Sequence, residues 1–121
     1  MKRILIVDDE EKVRKLVEVT LSVGKFEMLH ASSGEEALKI ARKTKPDIVL
    51  LDVMMPGELD GFDVCRLLKD DPDTKDIYII MLTAKGQRAE REKGLAVGSD
   101  DYFVKPFSPV ELMDKIDKIL T

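Results

Sequence analysis

An α/β fold built on a parallel sheet is what this sequence of 121 residues predicts, and three observations carry the prediction. Five short apolar runs alternate with helix-period segments along the whole chain, and such alternation implies a parallel sheet covered by helices on both faces. Three of the runs, at residues 3–7, 47–51 and 78–82, are nearly continuous in Ile, Leu and Val rather than alternating, as strands buried on both faces are. The connections are short, and right-handed crossovers are nearly obligatory in each strand-helix-strand unit. For five such units the flavodoxin-like strand order 2-1-3-4-5 is the natural expectation.

The elements follow in order. After the first strand, Val13, Leu16, Val17, Thr20 and Leu21 recur at helical spacing and define one apolar face. Residues 26–30 form the second strand. Ser33 followed by Glu36 is a capping-box signal, and Ala37, Leu38 and Ala41 give the second helix its face. The third strand leads to a helix that Asp60 can cap, carrying Val64, Leu67 and Leu68 and ending before Pro72. After the fourth strand, the helical stretch 87–97 is weak. Its apolar residues are Ala89, Leu95, Ala96 and Val97, with Gly86 and Gly94 beside or inside it. Little apolar area anchors it, which places it at the low-stability end of the domain. Residues 102–104 form a short fifth strand. The last helix has the strongest local signals: Ser108 with Glu111 as a second capping box, Pro109 at the first helical position, and a face of Leu112, Met113, Ile116, Ile119 and Leu120. No internal repeat, low-complexity segment or linker interrupts the chain, so one domain over residues 1–121 is expected.

Composition excludes several function classes. Twenty Lys and Arg stand against 24 Asp and Glu, for a net charge of -4. That acidity argues against direct nucleic-acid contact, which needs a basic stripe. The single cysteine, Cys65, allows neither an intrachain disulfide nor a cysteine zinc site, and the single His30 allows no histidine metal cluster. No apolar run approaches the roughly 18–20 residues of a membrane span, and the N-terminal one is too short for a signal peptide. A cytoplasmic protein without membrane insertion is expected. The absence of Asn and the lone Gln87 hint weakly at a thermophile.

In an open parallel sheet, chemistry lies beyond the carboxyl ends of the strands, at the switch in strand order. The first strand ends in Asp8, Asp9 and Glu10, and the third in Asp52, Val53 and Met54. The fourth ends in Thr83 and Ala84, and the fifth in Lys105 and Pro106. Carboxylates crowded at one point repel one another. A hard cation such as Mg2+ relieves that repulsion and keeps positions open for phosphate oxygens. Thr83 can donate a hydrogen bond to such an oxygen, and Lys105 can neutralise another. The set suits phosphoryl transfer, with Asp52 as nucleophile and an aspartyl phosphate as product.

These motifs resemble one family. The segments Ile6-Val7-Asp8-Asp9-Glu10, Leu50 to Gly57, Asp60-Gly61-Phe62, Leu82-Thr83-Ala84 and Asp101 to Phe107, in this order and at the expected strand ends, resemble the receiver domain of two-component response regulators, in particular the stand-alone chemotaxis type. The resemblance implies Asp52 as phosphoacceptor. It implies Mg2+ bound directly by Asp9, Asp52 and the backbone carbonyl of Met54, with Asp8 acting partly through water. Thr83, Lys105 and the Ala84 N–H would bind phosphoryl oxygens, and Tyr102 would turn inward as Thr83 moves. A cis Lys105–Pro106 bond is common in the family. The implied partners are a sensor histidine kinase or phosphotransfer protein, and a downstream protein bound by the face from helix four to helix five. The implied activity is not that of a conventional enzyme: the domain catalyses its own phosphorylation and dephosphorylation. A monomer or weak dimer is expected. The chain stops after the last helix, so it would act alone through protein contacts, or else be a receiver cut from a longer transcriptional or enzymatic regulator. One departure stands out. The loop Pro56-Gly57-Glu58-Leu59-Asp60 is one residue longer than the family's usual, so Glu58 could approach the metal or hinder the donor.

Plainer readings stand beside these. Asp8, Asp9 and Glu10 could simply cap the first helix. Tyr102 could be an ordinary half-buried aromatic, Cys65 a core residue, and His30 a strand residue without a partner. The charges Arg88, Glu90, Arg91, Glu92 and Lys93 could be a solvated helix face. Three rival readings share parts of the pattern. A purely structural pseudo-receiver would lack one of the five site residues, and none is missing. A flavodoxin-type cofactor binder would need a Ser/Thr/Gly-rich loop where Asp8-Asp9-Glu10 stands. A Mg2+-dependent aspartyl phosphatase of the haloacid-dehalogenase type would need Asp-x-Asp there.

Overall fold

The computed structural model describes residues 1–84 and 88–120. Five strands and five helices alternate: β1 (Lys2–Val7), α1 (Glu11–Leu21), β2 (Phe26–Ala31), α2 (Gly34–Thr44), β3 (Ile48–Asp52), α3 (Gly61–Lys69), β4 (Tyr78–Thr83), α4 (Arg88–Ala96), β5 (Asp101–Val104) and α5 (Pro109–Leu120). The sheet is parallel throughout, in the order β2-β1-β3-β4-β5. The fold class and strand order expected from the sequence are therefore the ones observed.

Strand boundaries differ by about a residue, and hydrogen bonds decide them. Asp47 stays outside β3 because its carboxylate accepts from the Arg3 N–H at 2.9 Å while its own N–H donates to the Arg3 carbonyl. At the other end β3 gains Asp52, paired opposite Leu82. β4 likewise gains Thr83, opposite Val104, and β2 gains Ala31, opposite Val7. Residue 87, expected to open the fourth helix, lies outside the described residues.

Side chains alternate across the sheet and divide the core in two. Leu5, Val7, Val49, Leu51, Ile79 and Met81 face Ala37, Leu38 and Ala41 of α2 and Val64, Cys65 and Leu68 of α3. Ile4, Ile6, Ile48, Leu50, Ile80 and Leu82 face Val17 and Leu21 of α1 and Leu112 and Ile116 of α5. Each fully buried Leu or Ile contributes about 1.5–3 kcal/mol, so the central strands form a rigid platform whose carboxyl ends hold position.

The periodic stripe of α1 is wider than the surface it buries. Val17 and Leu21 are buried, whereas Leu16 is 58% exposed. Val13 and Leu16 instead border an apolar hollow with Pro106, Phe107 and Pro109. Ser33 caps α2 by accepting from the Glu36 N–H, but Glu36 reaches back to the N–H of Ser32, one residue earlier than a capping box requires. The complete reciprocal box is at α3, between Asp60 and Asp63.

α4 is as weakly anchored as the sequence predicts. Leu95, its largest apolar residue, is 71% exposed, and the helix buries only Gly94. A Cβ there would sit 3.3 Å from Ser99 Oγ, in the turn that follows the helix, and 4.0 Å from the Phe62 ring. Polar contacts attach the helix instead. The Lys93 ammonium lies 4.6 Å from the Phe62 ring centre, and the Arg91 guanidinium 5.0 Å from that of Tyr102. Glu90 accepts a hydrogen bond from Thr83. Arg88, Arg91, Glu92 and Lys93 are exposed, as a solvated face requires, with Arg88 and Glu92 paired at 2.9 Å, whereas Glu90 is half-buried. Cys65 is buried in the core as expected, and burial pushes its thiol up to about 12. His30 does have a neighbour: its Nε2 lies 3.5 Å from Glu18. No helix among the described residues is long and apolar enough to cross a membrane.

Candidate functional site

The ends of β1 and β3, adjacent at the switch in strand order, bring three carboxylates together. Oxygens of Asp8, Asp9 and Asp52 all lie within 4.8 Å of one another. Asp8 and Asp52 are buried and Asp9 is exposed, so the group is fixed at its base and open at its mouth. Asp8 is held from several sides. Its N–H donates to the Ala31 carbonyl, its Oδ1 accepts from the Glu10 N–H at 2.9 Å, and Arg14 donates to its carbonyl at 2.6 Å. Asp52 accepts from the Met54 N–H at 3.3 Å.

Lys105 enters from β5. Its Nζ lies 2.8 Å from Asp8 Oδ2 and 3.4 Å from Asp52 Oδ1. The Lys105–Pro106 bond is cis, and the Lys105 N–H donates to the Thr83 carbonyl at 2.6 Å. One ammonium thus stands against three carboxylates. Burial, and then the charge of Asp8, push Asp52 up to about 6, against the opposing pull of Lys105 and the Met54 N–H. Burial alone would lower the Lys105 ammonium, but its hydrogen bond to Asp8 and the charges of Asp52 and Asp8 outweigh that and raise it. The site is short of positive charge. An all-oxygen, anionic donor set with an exposed mouth fits a hard divalent cation that keeps part of its water, so the acidic triad is capable of binding a metal ion.

Thr83 is fully buried at the end of β4, and Ala84 beyond it is exposed. Tyr102 is half-buried, packed against the α2/α3 side of the core beneath Arg91. Met54 presents its side chain to solvent, 60% exposed. Glu58 is exposed and, among the described residues, is not one of the clustered carboxylates. The longer loop packs against the start of α2. Gly57, at φ +100°, makes the turn, and Glu35 of α2 accepts from the Leu59 N–H at 3.2 Å. Neither Arg14 nor Glu35 stands out in the sequence, because each looks like any other helix-surface charge.

Gly61 supports the site from below. A Cβ at this position would lie 2.3 Å from the Asp52 carbonyl oxygen and 2.8 Å from Val53 Cα. Backbone cannot yield as a flexible side chain can, so Gly61→Ala must displace the end of β3. The expected cost is about 1–3 kcal/mol in urea unfolding, with weaker divalent-cation binding as Asp52 moves. Unchanged stability and binding would show that the strand end can shift freely.

The comparisons agree with this geometry. The family model described as "Response regulator receiver domain" matches residues 4–117. The Porphyra purpurea protein named "Probable transcriptional regulator ycf27" is 50% identical over 119 residues, covering 98% of this chain and 47% of its own length. The phosphate regulon transcriptional regulatory protein PhoB of Pseudomonas aeruginosa is 46% identical, covering 98% of this chain and 52% of its own. This chain therefore spans about half the length of the curated relatives it matches. Among solved structures, the chemotaxis response regulator CheY4 of Vibrio cholerae superimposes with a TM-score of 0.90 at 33% identity, over 98% of each chain. With the triad and Lys105 at the strand ends and the family model matching nearly the whole chain, the protein belongs to the response regulator receiver domain family.

Proposed function

We propose that this domain is a phosphorylation-controlled switch and that it serves as the receiver part of a transcriptional regulator. The observation that carries the first half is the Asp8–Asp9–Asp52 cluster with Lys105 bridging two of its members. What supports the second is that the curated relatives are named transcriptional regulators about twice as long as this chain. The stand-alone reading is accordingly the less supported of the two. The acidity that argues against nucleic-acid contact concerns this domain alone.

In this reading an Asp52 oxygen attacks the phosphorus of a phosphohistidine on a histidine kinase or phosphotransfer protein. The P–N bond breaks, the imidazole keeps the electron pair and takes up a proton, and an aspartyl phosphate remains. Asp9 and Asp52, with the Met54 carbonyl and Asp8 in support, would hold Mg2+, which supplies positive charge between an anionic nucleophile and an anionic donor. Lys105 exchanges part of its contact with Asp52 for a phosphoryl oxygen. Thr83 and the Ala84 N–H bind the others, and Tyr102 follows Thr83 inward. The weakly anchored α4 then changes its population of positions, and the face from α4 to α5 meets the downstream partner. Water later cleaves the acyl phosphate.

Incubation with acetyl phosphate, followed by intact mass measurement, tests the switch. One phosphoryl group gained with Mg2+ and none with EDTA is the expected result. No gain in either condition overturns it, and steady hydrolysis of p-nitrophenyl phosphate would instead favour an aspartyl phosphatase. The length of the native reading frame tests the second half: a frame closing at residue 121 overturns it.

A further inference from the structure

The contact between Thr83 and Glu90 has no role in the scheme above. Thr83 is fully buried at the end of β4, one residue beyond Leu82, the ladder partner of Asp52. Its hydroxyl donates to the carboxylate of Glu90 in the first turn of α4. A hydroxyl has one proton to donate. If Thr83 is to donate to a phosphoryl oxygen on Asp52, it must give up Glu90. The two states of Thr83 are therefore exclusive.

We propose that Glu90 is a positioning residue that holds Thr83 and α4 in the resting arrangement, so that loading of Asp52 and release of α4 compete for one hydrogen bond. The inference rests on the phosphorylation reading of Asp52 and adds a restraint to it. The packing of α4 gives that restraint its leverage. The helix buries only Gly94 and leaves Leu95 71% exposed. A single hydrogen bond to a carboxylate is a small part of the attachment of a well-packed helix, but a large part of this one. Arg91 lies over Tyr102 one residue further on. Release of Glu90 therefore loosens the element that covers the aromatic expected to move. A plainer role exists, since a carboxylate in a first turn also favours the helix dipole. That role does not involve Thr83, and this separates the two.

The test is binding of beryllofluoride with Mg2+, a mimic of the phosphoryl group, followed by amide chemical shifts of the full chain. Glu90→Ala is expected to bind it about tenfold more tightly than the parent and to show α4 shifts part-way to the bound values before any ligand is added. Glu90→Gln, which keeps an acceptor oxygen without the charge, is expected to fall between. In a Thr83→Val background the Glu90→Ala gain should vanish, because the hydroxyl that couples them is gone. Unchanged or weaker binding by Glu90→Ala overturns the proposal, as does a gain that persists without the Thr83 hydroxyl. A parent protein that binds no beryllofluoride with Mg2+ overturns the phosphorylation reading itself, and the latch with it.

Discussion

Asp52→Asn is expected to reduce phosphoryl uptake to background and, at the same time, to make the metal-free protein more stable above pH 6. The first effect is chemical: an amide lacks the anionic oxygen that attacks phosphorus. The second follows from electrostatics. Asp52 ionises at about 6 in the folded protein against an ordinary value of 3.8, because it is buried beside Asp8. A carboxyl raised in this way favours the folded state while protonated. That contribution is complete below about pH 4 and is lost as the pH climbs through about 6. Each pH unit between the two values is worth about 1.4 kcal/mol, so ionised Asp52 costs the metal-free protein on the order of 2–3 kcal/mol at pH 8. Asparagine keeps an oxygen for the Met54 N–H and carries no charge, so it escapes the cost. Urea unfolding in EDTA should give nearly equal stabilities for the two proteins at pH 4 and a gap favouring Asp52→Asn at pH 8. Added Mg2+ should close that gap by stabilising the parent. A variant less stable than the parent at pH 8 would mean that Asp52 is satisfied in its charged form and is not held ready for a cation.

That cost was foreseeable in kind. Asp8, Asp9 and Asp52 could be placed together because runs such as 48–51 are apolar throughout, and buried parallel strands leave few choices of order. Once the order is set, the residues that follow the first and third strands must meet. Lys105 was legible by the same logic from the far edge of the sheet. What escaped the sequence is what depends on surface helices. Glu90 looks like one more charge among five in its helix, and nothing in its spacing marks it as the partner of Thr83. Arg14 lies beneath Asp8 through a contact to backbone, which no side-chain pattern encodes. Leu16 and Leu95 fit apolar stripes yet remain exposed, because periodicity shows which face is apolar and not how much of it the sheet covers. The longer loop at Glu58 was readable as a departure, but its path depends on Glu35 and on the turn at Gly57.

Lys105→Met should separate metal binding from chemistry, moving the two in opposite directions. In the metal-free protein the ammonium is the described cation within ion-pair distance of Asp8 and Asp52, at 2.8 and 3.4 Å. Asp8 is 1% exposed and Asp52 5%, so their charges have little water to turn to. Breaking a fully buried pair costs about 3–5 kcal/mol. Lys105 is partly exposed and Asp52 can take up a proton, which reduces the expected loss to about 2–3 kcal/mol at pH 8. The loss should shrink toward pH 4, where Asp52 is protonated in both proteins. Mg2+ affinity, by contrast, should rise severalfold, because a divalent cation no longer competes with a fixed positive charge a few ångströms away. Uptake from acetyl phosphate should nevertheless fall by more than tenfold, since the charge that would meet a phosphoryl oxygen has gone. General damage to the fold would weaken binding and chemistry together. Tighter metal binding with slower phosphorylation has a narrower cause: the same ammonium stands in for the cation at rest and serves the phosphoryl group afterwards. Weaker Mg2+ binding by this variant would mean that Lys105 positions the carboxylates for the metal and does not compete with it.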